Sequence, residues 1–162
     1  MQNMFQGSNS IIFIDLSNFN STLINNSESM FSGCISLKSI NFTNFNVSKI
    51  KDMSGMFSCC INLEIIEISN FNDTLLVKDM SFMFADCFSL KWSNIKLLDT
   101  SNVNNMSSMY INCKSITSLE INHFNIKSVI DMKSMFSNHY GKNHSFPLHR
   151  LIFIKIFKFM NY

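Results

Sequence analysis

Cysteine is the residue type in this chain best placed to do chemistry, and its spacing argues against most of that chemistry. Cys34, Cys60, Cys87 and Cys113 stand 26 or 27 residues apart, with Cys59 alone outside the series. A zinc site would call for paired C-x-x-C ligands. None occurs, and the adjacent Cys59 and Cys60 cannot easily face one centre. If equal steps in sequence become equal steps in space, the four are column neighbours about 4.8 Å apart. That separation just meets disulfide distances. Two readings follow, vertical disulfides or a ladder of small buried thiols. The ladder is preferred, which makes these four a structural cysteine column.

A second column, Asn26, Asp52, Asp79, Asn105 and Asp131, is always Asn or Asp. Its three carboxylates in register suggest a cation ladder, but the asparagines in the same file weaken any charge-based role. An Asn or Asp just before an apolar run also accepts a bond from an orphan helical N–H, so the file is assigned as a helix-cap column. His139, His144 and His149 lie five residues apart and could suggest a metal site; exposed tail histidines are the preferred reading. With His123, they pair with no cysteine or carboxylate at a useful spacing. Sequons such as Asn20-Ser21-Thr22, Asn46-Val47-Ser48 and Asn105-Met106-Ser107 carry little weight where Asn and Ser are so abundant. There is no Gly-rich phosphate loop and no Ser-His-Asp arrangement. No catalytic residue, metal or cofactor is assigned, and the chain is not expected to be an enzyme.

The elements that must position these columns come from one phrase. It runs Met30-Phe31-x-x-Cys34-x-x-Leu37-x-x-Ile40-x-Phe42 and returns from Met56, Met83 and Met109, with a copy at Met4 and a last one at Met135. Those methionines step by 26, 26, 27, 26 and 26 residues, with the extra residue placed in Asp73-Thr74-Leu75-Leu76-Val77. Such periodicity means a solenoid. Met53, Met56 and Phe57 fall at i, i+3 and i+4, one face of a short helix. The helix should stop near Gly7, Gly33, Asp86, Asn112 and Asn138, residue types that tolerate a left-handed backbone; Cys59 breaks that rule. The following L-x-x-I-x-F alternates like a half-buried strand. In the copy from Cys34, the inward positions are Cys34, Leu37, Ile40, Phe42, Phe45, Ile50, Met53, Met56 and Phe57. The expectation is an α/β solenoid with a short strand and a short helix per turn of about 26 residues. The solenoid should occupy residues 1–137 and a divergent segment 138–162, a cap or a truncated repeat.

Composition narrows the class. The 162 residues carry 15% charged side chains and a net charge of +2, which gives no nucleic-acid footprint. No run of 18 apolar residues suggests a spanning helix, and no signal peptide is visible. The chain begins in mid-repeat, so it is read as a fragment flanked by further repeats or domains.

Binding should fall on positions free to vary between the apolar columns. One outward strand row holds Phe13, Ser39, Ile65, Trp92 and Ser118, and the next Asp15, Asn41, Glu67, Asn94 and Glu120. Trp92, Ile65, Glu67, Glu120 and Phe13 are the candidate binding residues, with Trp92 as anchor. Ser93 stands where Ile is normal, so Trp92 has a second reading, folded inward over a packing defect.

The phrase resembles the BspA-type leucine-rich repeats of bacterial and protist surface proteins, including the repeat domain of mycoplasma lipoproteins. The likeness rests on Asp99-Thr100-Ser101-Asn102-Val103-Asn104-Asn105-Met106-Ser107-Ser108-Met109 and on Met30-Phe31-Ser32-Gly33-Cys34-Ile35-Ser36-Leu37, and covers roughly residues 4 to 137. It implies a leucine-rich-repeat-like right-handed coil and a surface-exposed protein acting in adhesion or protein binding. The chain departs from the family in having no lipobox or export signal, and in His139 at the last cysteine place. Hence the expectation is a surface-displayed module for a protein ligand, at the cell surface or extracellular. The alternatives are a cytoplasmic or secreted interaction scaffold, or a passive spacer.

Overall fold

Half of the backbone N–H groups in each Met-Phe segment point at the next coil, and this sets the architecture. Ser27, Ser29, Phe31 and Gly33 donate to the carbonyls of Asp52, Ser54, Met56 and Ser58 at 3.0, 2.9, 2.9 and 2.8 Å. The intervening Met30, Ser32 and Cys34 donate three residues back, to Ser27, Ser29 and Phe31 at 3.1, 3.0 and 3.1 Å. The computed structural model describes residues 1–138 apart from 69, 70, 118, 120 and 122. The segment 138–162 expected as a cap or truncated repeat falls, but for Asn138, outside the described residues.

Among the described residues the short helix per coil does not form. In its place stand three linked turns, the first and third with a left-handed third residue, as a type II turn requires. Ser29 and Gly33 hold φ of 51° and 73°, and the same two files continue through Gly55 and Cys59, Phe82 and Asp86, Ser108 and Asn112, and Ser134 and Asn138. Cys59, at φ 58°, therefore obeys the left-handed file that its residue type seemed to break. The physical reason for the missing helix lies in where the donors go. Every second N–H is given to a carbonyl of the next coil and the intervening ones to the carbonyl three residues back. None is left for the carbonyl four residues back that an α-helix needs.

The helix-cap assignment of Asn26, Asp52, Asp79, Asn105 and Asp131 is corrected accordingly. Each side-chain Oδ1 accepts the N–H two residues on, from Glu28, Ser54, Ser81, Ser107 and Lys133, at 2.7, 2.8, 2.7, 3.0 and 2.8 Å. This is an Asx turn that opens the turn ribbon. The five also meet as parallel bridges, Asn26 with Asp52 and so on to Asp131. The sequons share that geometry: Asn20, Asn46 and Asn105 accept both the N–H and the hydroxyl of Thr22, Ser48 and Ser107.

Opposite the ribbon run, among the described residues, four three-residue strands, β1 (Phe13–Asp15), β2 (Ser39–Asn41), β3 (Ile65–Glu67) and β4 (Trp92–Asn94). β1 pairs with β2 and β3 with β4, all parallel, with Ile14 on Ile40 and Ile66 on Ser93. The core lies between strands and ribbon. Its axis is a file of rings, Phe5, Phe31, Phe57, Phe84, Tyr110 and Phe136, with centroids 5.5, 5.5, 5.5, 5.1 and 6.0 Å apart and planes within 17° of parallel. Met30, Met56, Met83 and Met109 are buried beside it. Of the nine inward positions named for the copy from Cys34, only Ile40 is half-buried.

A buried hydroxyl file was not foreseen. Thr74 Oγ1 accepts from the Asp99 N–H at 2.8 Å and donates to the Asp99 carbonyl at 3.0 Å; Thr100 does the same to Asn125 at 2.7 and 3.2 Å. Ser21 Oγ accepts from the Asn46 N–H at 2.5 Å. Val47 interrupts this file, and there the next coil carries its extra residue: Phe71 to Thr74 spans three residues where Phe45 to Val47 spans two. With no hydroxyl to hold it, the Asn72–Asp73 backbone leaves a hollow of about 340 Å³ against residues 44–48.

Candidate interaction face

The thiol column is internal and has no route to chemistry. Cys34, Cys60, Cys87 and Cys113 are buried, and none of the five cysteines is in a disulfide. Each column thiol donates to the carbonyl of the ladder ring one coil back, Phe5, Phe31, Phe57 and Phe84, at 3.0, 3.2, 3.1 and 3.0 Å. Cysteine suits this place because it is small, tolerates apolar surroundings and still offers a weak donor. Burial pushes all four thiols up, Cys113 to about 12, and like-charge neighbours in the column add to the rise at Cys60 and Cys87. A thiol held protonated is a poor nucleophile and a poor metal ligand. Among the described residues no three His, Cys, Asp or Glu side chains converge on a metal position. His123 lies edge-on to Phe124 at 5.0 Å, while His139, His144 and His149 lie outside the described residues.

The strand face presents three rows along the stack. On the chain-entry side are Ile12, Lys38, Glu64 and Lys91, all exposed. The middle row holds Phe13, Ser39, Ile65 and Trp92; Phe13 and Ile65 are 55% and 50% exposed, and Trp92 is half-buried. On the exit side stand Asp15 and Glu67, exposed, with Asn41 between them half-buried. β-strand alternation turns Ile14 and Ile66 the other way, into the core. Glu120 lies outside the described residues. The entry row went unnoticed in the sequence, although its signal was there: Lys, Glu and Lys recur at one repeat position.

Charge on this face is arranged unevenly. Lys91 Nζ reaches Glu64 Oε2 at 2.6 Å, and this hydrogen bond and charge, with help from Lys38, hold the Glu64 carboxyl below its usual range. The Ser17 N–H, at 2.8 Å, and its hydroxyl, with the Asn41 amide at 3.1 Å, lower Asp15 in the same direction. Glu67 has no ion-pair partner among the described residues. Among the described residues the strand-side ladder also has a gap. Lys38 N–H bonds Ile12 C=O at 2.9 Å, Lys91 bonds Glu64 at 2.8 Å and Thr117 bonds Lys91 at 3.1 Å. The equivalent bond from Glu64 to Lys38 is absent, and β2 and β3 belong to separate sheets. At that step lies a hollow of about 550 Å³ lined by Lys38, Ser39, Ile40, Glu64, Ile65 and Glu67.

Trp92 is placed by a compensated exchange behind it. Ser93, 2% exposed, occupies the inward strand place that Ile14 and Ile66 hold in other coils. Tyr110 takes the phenylalanine place in the ring file, and its hydroxyl lies 3.4 Å from Ser93 Oγ. The serine thus answers a buried phenol rather than leaving a defect, so Trp92 stays in register with Ile65 on the outer side. Either single change, Ser93→Ile or Tyr110→Phe, should destabilise the fold by about 1–3 kcal/mol, because a buried hydroxyl loses its partner. The double change should recover most of that loss. Urea titrations of the four proteins would measure the coupling; additive losses would mean the two hydroxyls do not interact.

Comparison with known proteins agrees with this architecture. The family model described as "Mycoplasma protein of unknown function, DUF285" matches residues 1–93 and again 62–147. The chain belongs to that family. Its fold is that of a leucine-rich-repeat solenoid. A crystal structure of a leucine-rich repeat protein from Eubacterium ventriosum superposes with a TM-score of 0.50 at 19% identity, over 87% of this chain and 34% of that one. A leucine-rich repeat protein from T. pallidum is similar at a TM-score of 0.35 and 16% identity, over 71% of this chain and 58% of that one. The chain therefore spans about a third of the Eubacterium protein. A search of curated proteins finds no match. The likeness to BspA-type repeats drawn from the residues stands with these findings. Among the described residues, no helix is long and apolar enough to cross a membrane.

Proposed function

We propose that this chain is a non-enzymatic protein-binding module of a surface-displayed protein, serving adhesion or partner recognition through its strand face. The winding is taken as right-handed, as parallel strand-to-strand crossovers are. One observation carries the reading: Phe13, Ile65 and Trp92 stand outward in a single row across two short parallel sheets, flanked by rows that carry charge, while the alternate strand positions turn to the core. An exposed aromatic beside an aliphatic, rimmed by charge, is how protein contacts are commonly anchored. Elsewhere the thiols are inward and the Asx residues are committed to turns, so neither column competes as a site.

The test is a panel of immobilised serum and extracellular-matrix proteins, with binding followed by surface resonance. Saturable binding to at least one should weaken tenfold or more in Trp92→Ala and Ile65→Ser. Melting should change little, since exposed or half-exposed substitutions usually cost under about 1 kcal/mol. Binding that ignores both substitutions would move the contact off this face. A large drop in melting temperature for Trp92→Ala would assign that ring to the core.

A further inference from the structure

The hollows of about 550 and 340 Å³ open at the same step of the stack, from the coil of β2 to the coil of β3. The first lies between the two strands, and the second between residues 44–48 and Asn72–Asp73 on the arms that leave them. Two kinds of bond that join other coils are missing there among the described residues. β2 and β3 do not pair, whereas β1 pairs with β2 and β3 with β4. Val47 brings no hydroxyl, whereas Ser21, Thr74 and Thr100 each tie their coil to the next through one. The opposite side of the same step is well bonded. Ser27, Ser29, Phe31 and Gly33 give their N–H groups to carbonyls of the β3 coil. Cys60 Sγ reaches back to the Phe31 carbonyl at 3.2 Å, and Asn62 Nδ2 to the Ile35 carbonyl at 2.8 Å.

We infer that this step is a hinge, with the turn ribbon as its axis and the strand face as the side that opens and closes. Hydrogen bonds fix both the distance and the angle between coils. Where one side of a step keeps them and the other has only apolar contact, rotation about the bonded side is the soft motion. Phe71 meets Phe42 at 5.1 Å and Phe45 at 6.1 Å across the step. These ring contacts favour the closed form, but dispersion is not directional and lets the rings slide. Slack is supplied by the extra residue, since the arm from Phe71 to Thr74 is one longer than that from Phe45 to Val47. The hinge divides the strand face into two panels, Phe13 with Ser39 and Ile65 with Trp92, each held within its own paired sheet. A partner lying across both panels would set the angle between them, whatever its chemistry; one seated on a single panel would leave the hinge free.

The test places pairs of nitroxide labels on the full chain, with Cys59→Ser removing the partly exposed native thiol while the other four stay buried. Ile12→Cys with Thr117→Cys spans the strand side, and Gln2→Cys with Ser107→Cys the ribbon side. Each pair crosses four steps, about 19 Å. Both start in the first coil, so fraying of that end acts on them alike. Double electron–electron resonance should give a strand-side distance distribution about twice as wide as the ribbon-side one. In a closing variant, Val47→Thr with Asn72 deleted, the missing hydroxyl and the shorter arm are both restored, and the strand side should narrow to the ribbon-side width. Equal widths on the two sides of the parent chain overturn the hinge, and they do so whether or not the closing variant folds. A strand-side distribution that stays broad in a folded closing variant overturns it too, because the breadth then belongs to the labels rather than to the step.

Discussion

Replacing Phe57 by alanine should cost about 3–5 kcal/mol, the range for emptying a buried aromatic site. A domain of ordinary stability has only about 5–15 kcal/mol to lose. Phe57 is fully buried and stacks on Phe31 and Phe84, both at 5.5 Å, with Phe42 edge-on at 6.0 Å. Each such pair adds about 0.5–1.5 kcal/mol beyond the area it covers. Collapse into the space is opposed by the turn ribbon, where the Phe31 N–H donates to the Met56 carbonyl and the Phe57 N–H to the Met83 carbonyl, both at 2.9 Å. The position in the file should matter. Phe5, half-buried at the first coil, has a single stacked neighbour, so Phe5→Ala should cost well under half as much. Urea midpoints of the two variants measure the contrast. Equal losses would show that stacking along the file contributes nothing beyond ordinary burial, and that the coils are not coupled as a one-dimensional array.

The columns were legible in the sequence because a solenoid converts sequence period directly into spatial neighbourhood. Met30 with Met56 and Cys60 with Cys87 needed no knowledge of backbone conformation to be paired. Backbone conformation itself was not legible. Apolar residues at i, i+3 and i+4 mark one face of a helix, but linked turns closed by i to i+3 bonds produce the same pattern. Only the destination of the alternate N–H groups, the next coil rather than the carbonyl four residues back, separates the two. The left-handed file through Gly33 and Asn112 showed itself by residue type. Its companion through Ser29, Phe82 and Ser108 did not, since serine and phenylalanine are poor markers of positive φ.

On the strand face, the outward direction of Ile65 and Trp92 followed from alternation alone. Trp92 was ambiguous only while Ser93 looked like a defect. Its partner Tyr110 lies 17 residues on, in a different column, and single-column reasoning cannot connect them. The gap between β2 and β3 left no trace, because Lys38, Ile40 and Ile65 are the residue types that a closed step would carry. The extra residue was placed within a few positions of Asn72–Asp73. That its site follows the loss of a hydroxyl at Val47 required the bonds of Thr74 and Thr100 to be seen.

Alkaline solution should unfold this protein well before a chain of ordinary thiols. Cys60, Cys87 and Cys113 are buried, and burial raises all three, with Cys113 pushed up to about 12. Tyr110 is raised for the same first reason, loss of solvent, and a single hydrogen bond to Ser93 offsets little of it. The unfolded chain gives up its thiol protons near their ordinary pKa of about 8.5, whereas the folded chain keeps them. Fewer protons are then bound by the unfolded state, so stability falls as pH rises. The contribution is complete below about pH 8.5 and is lost progressively toward the raised values, at about 1.4 kcal/mol per pH unit for each buried thiol. Melting temperature should therefore hold level from pH 7 to 8 and drop steeply between 9 and 10.5. Cys87→Ala tests the cause, because its readout is the slope: removing one titrating group should flatten the fall by roughly a quarter to a third, whatever the substitution does to stability at pH 7. An unchanged slope, or a wild-type melting temperature flat to pH 10, would mean that the thiols reach solvent. The inward column that holds each ring carbonyl in place would then have to be abandoned.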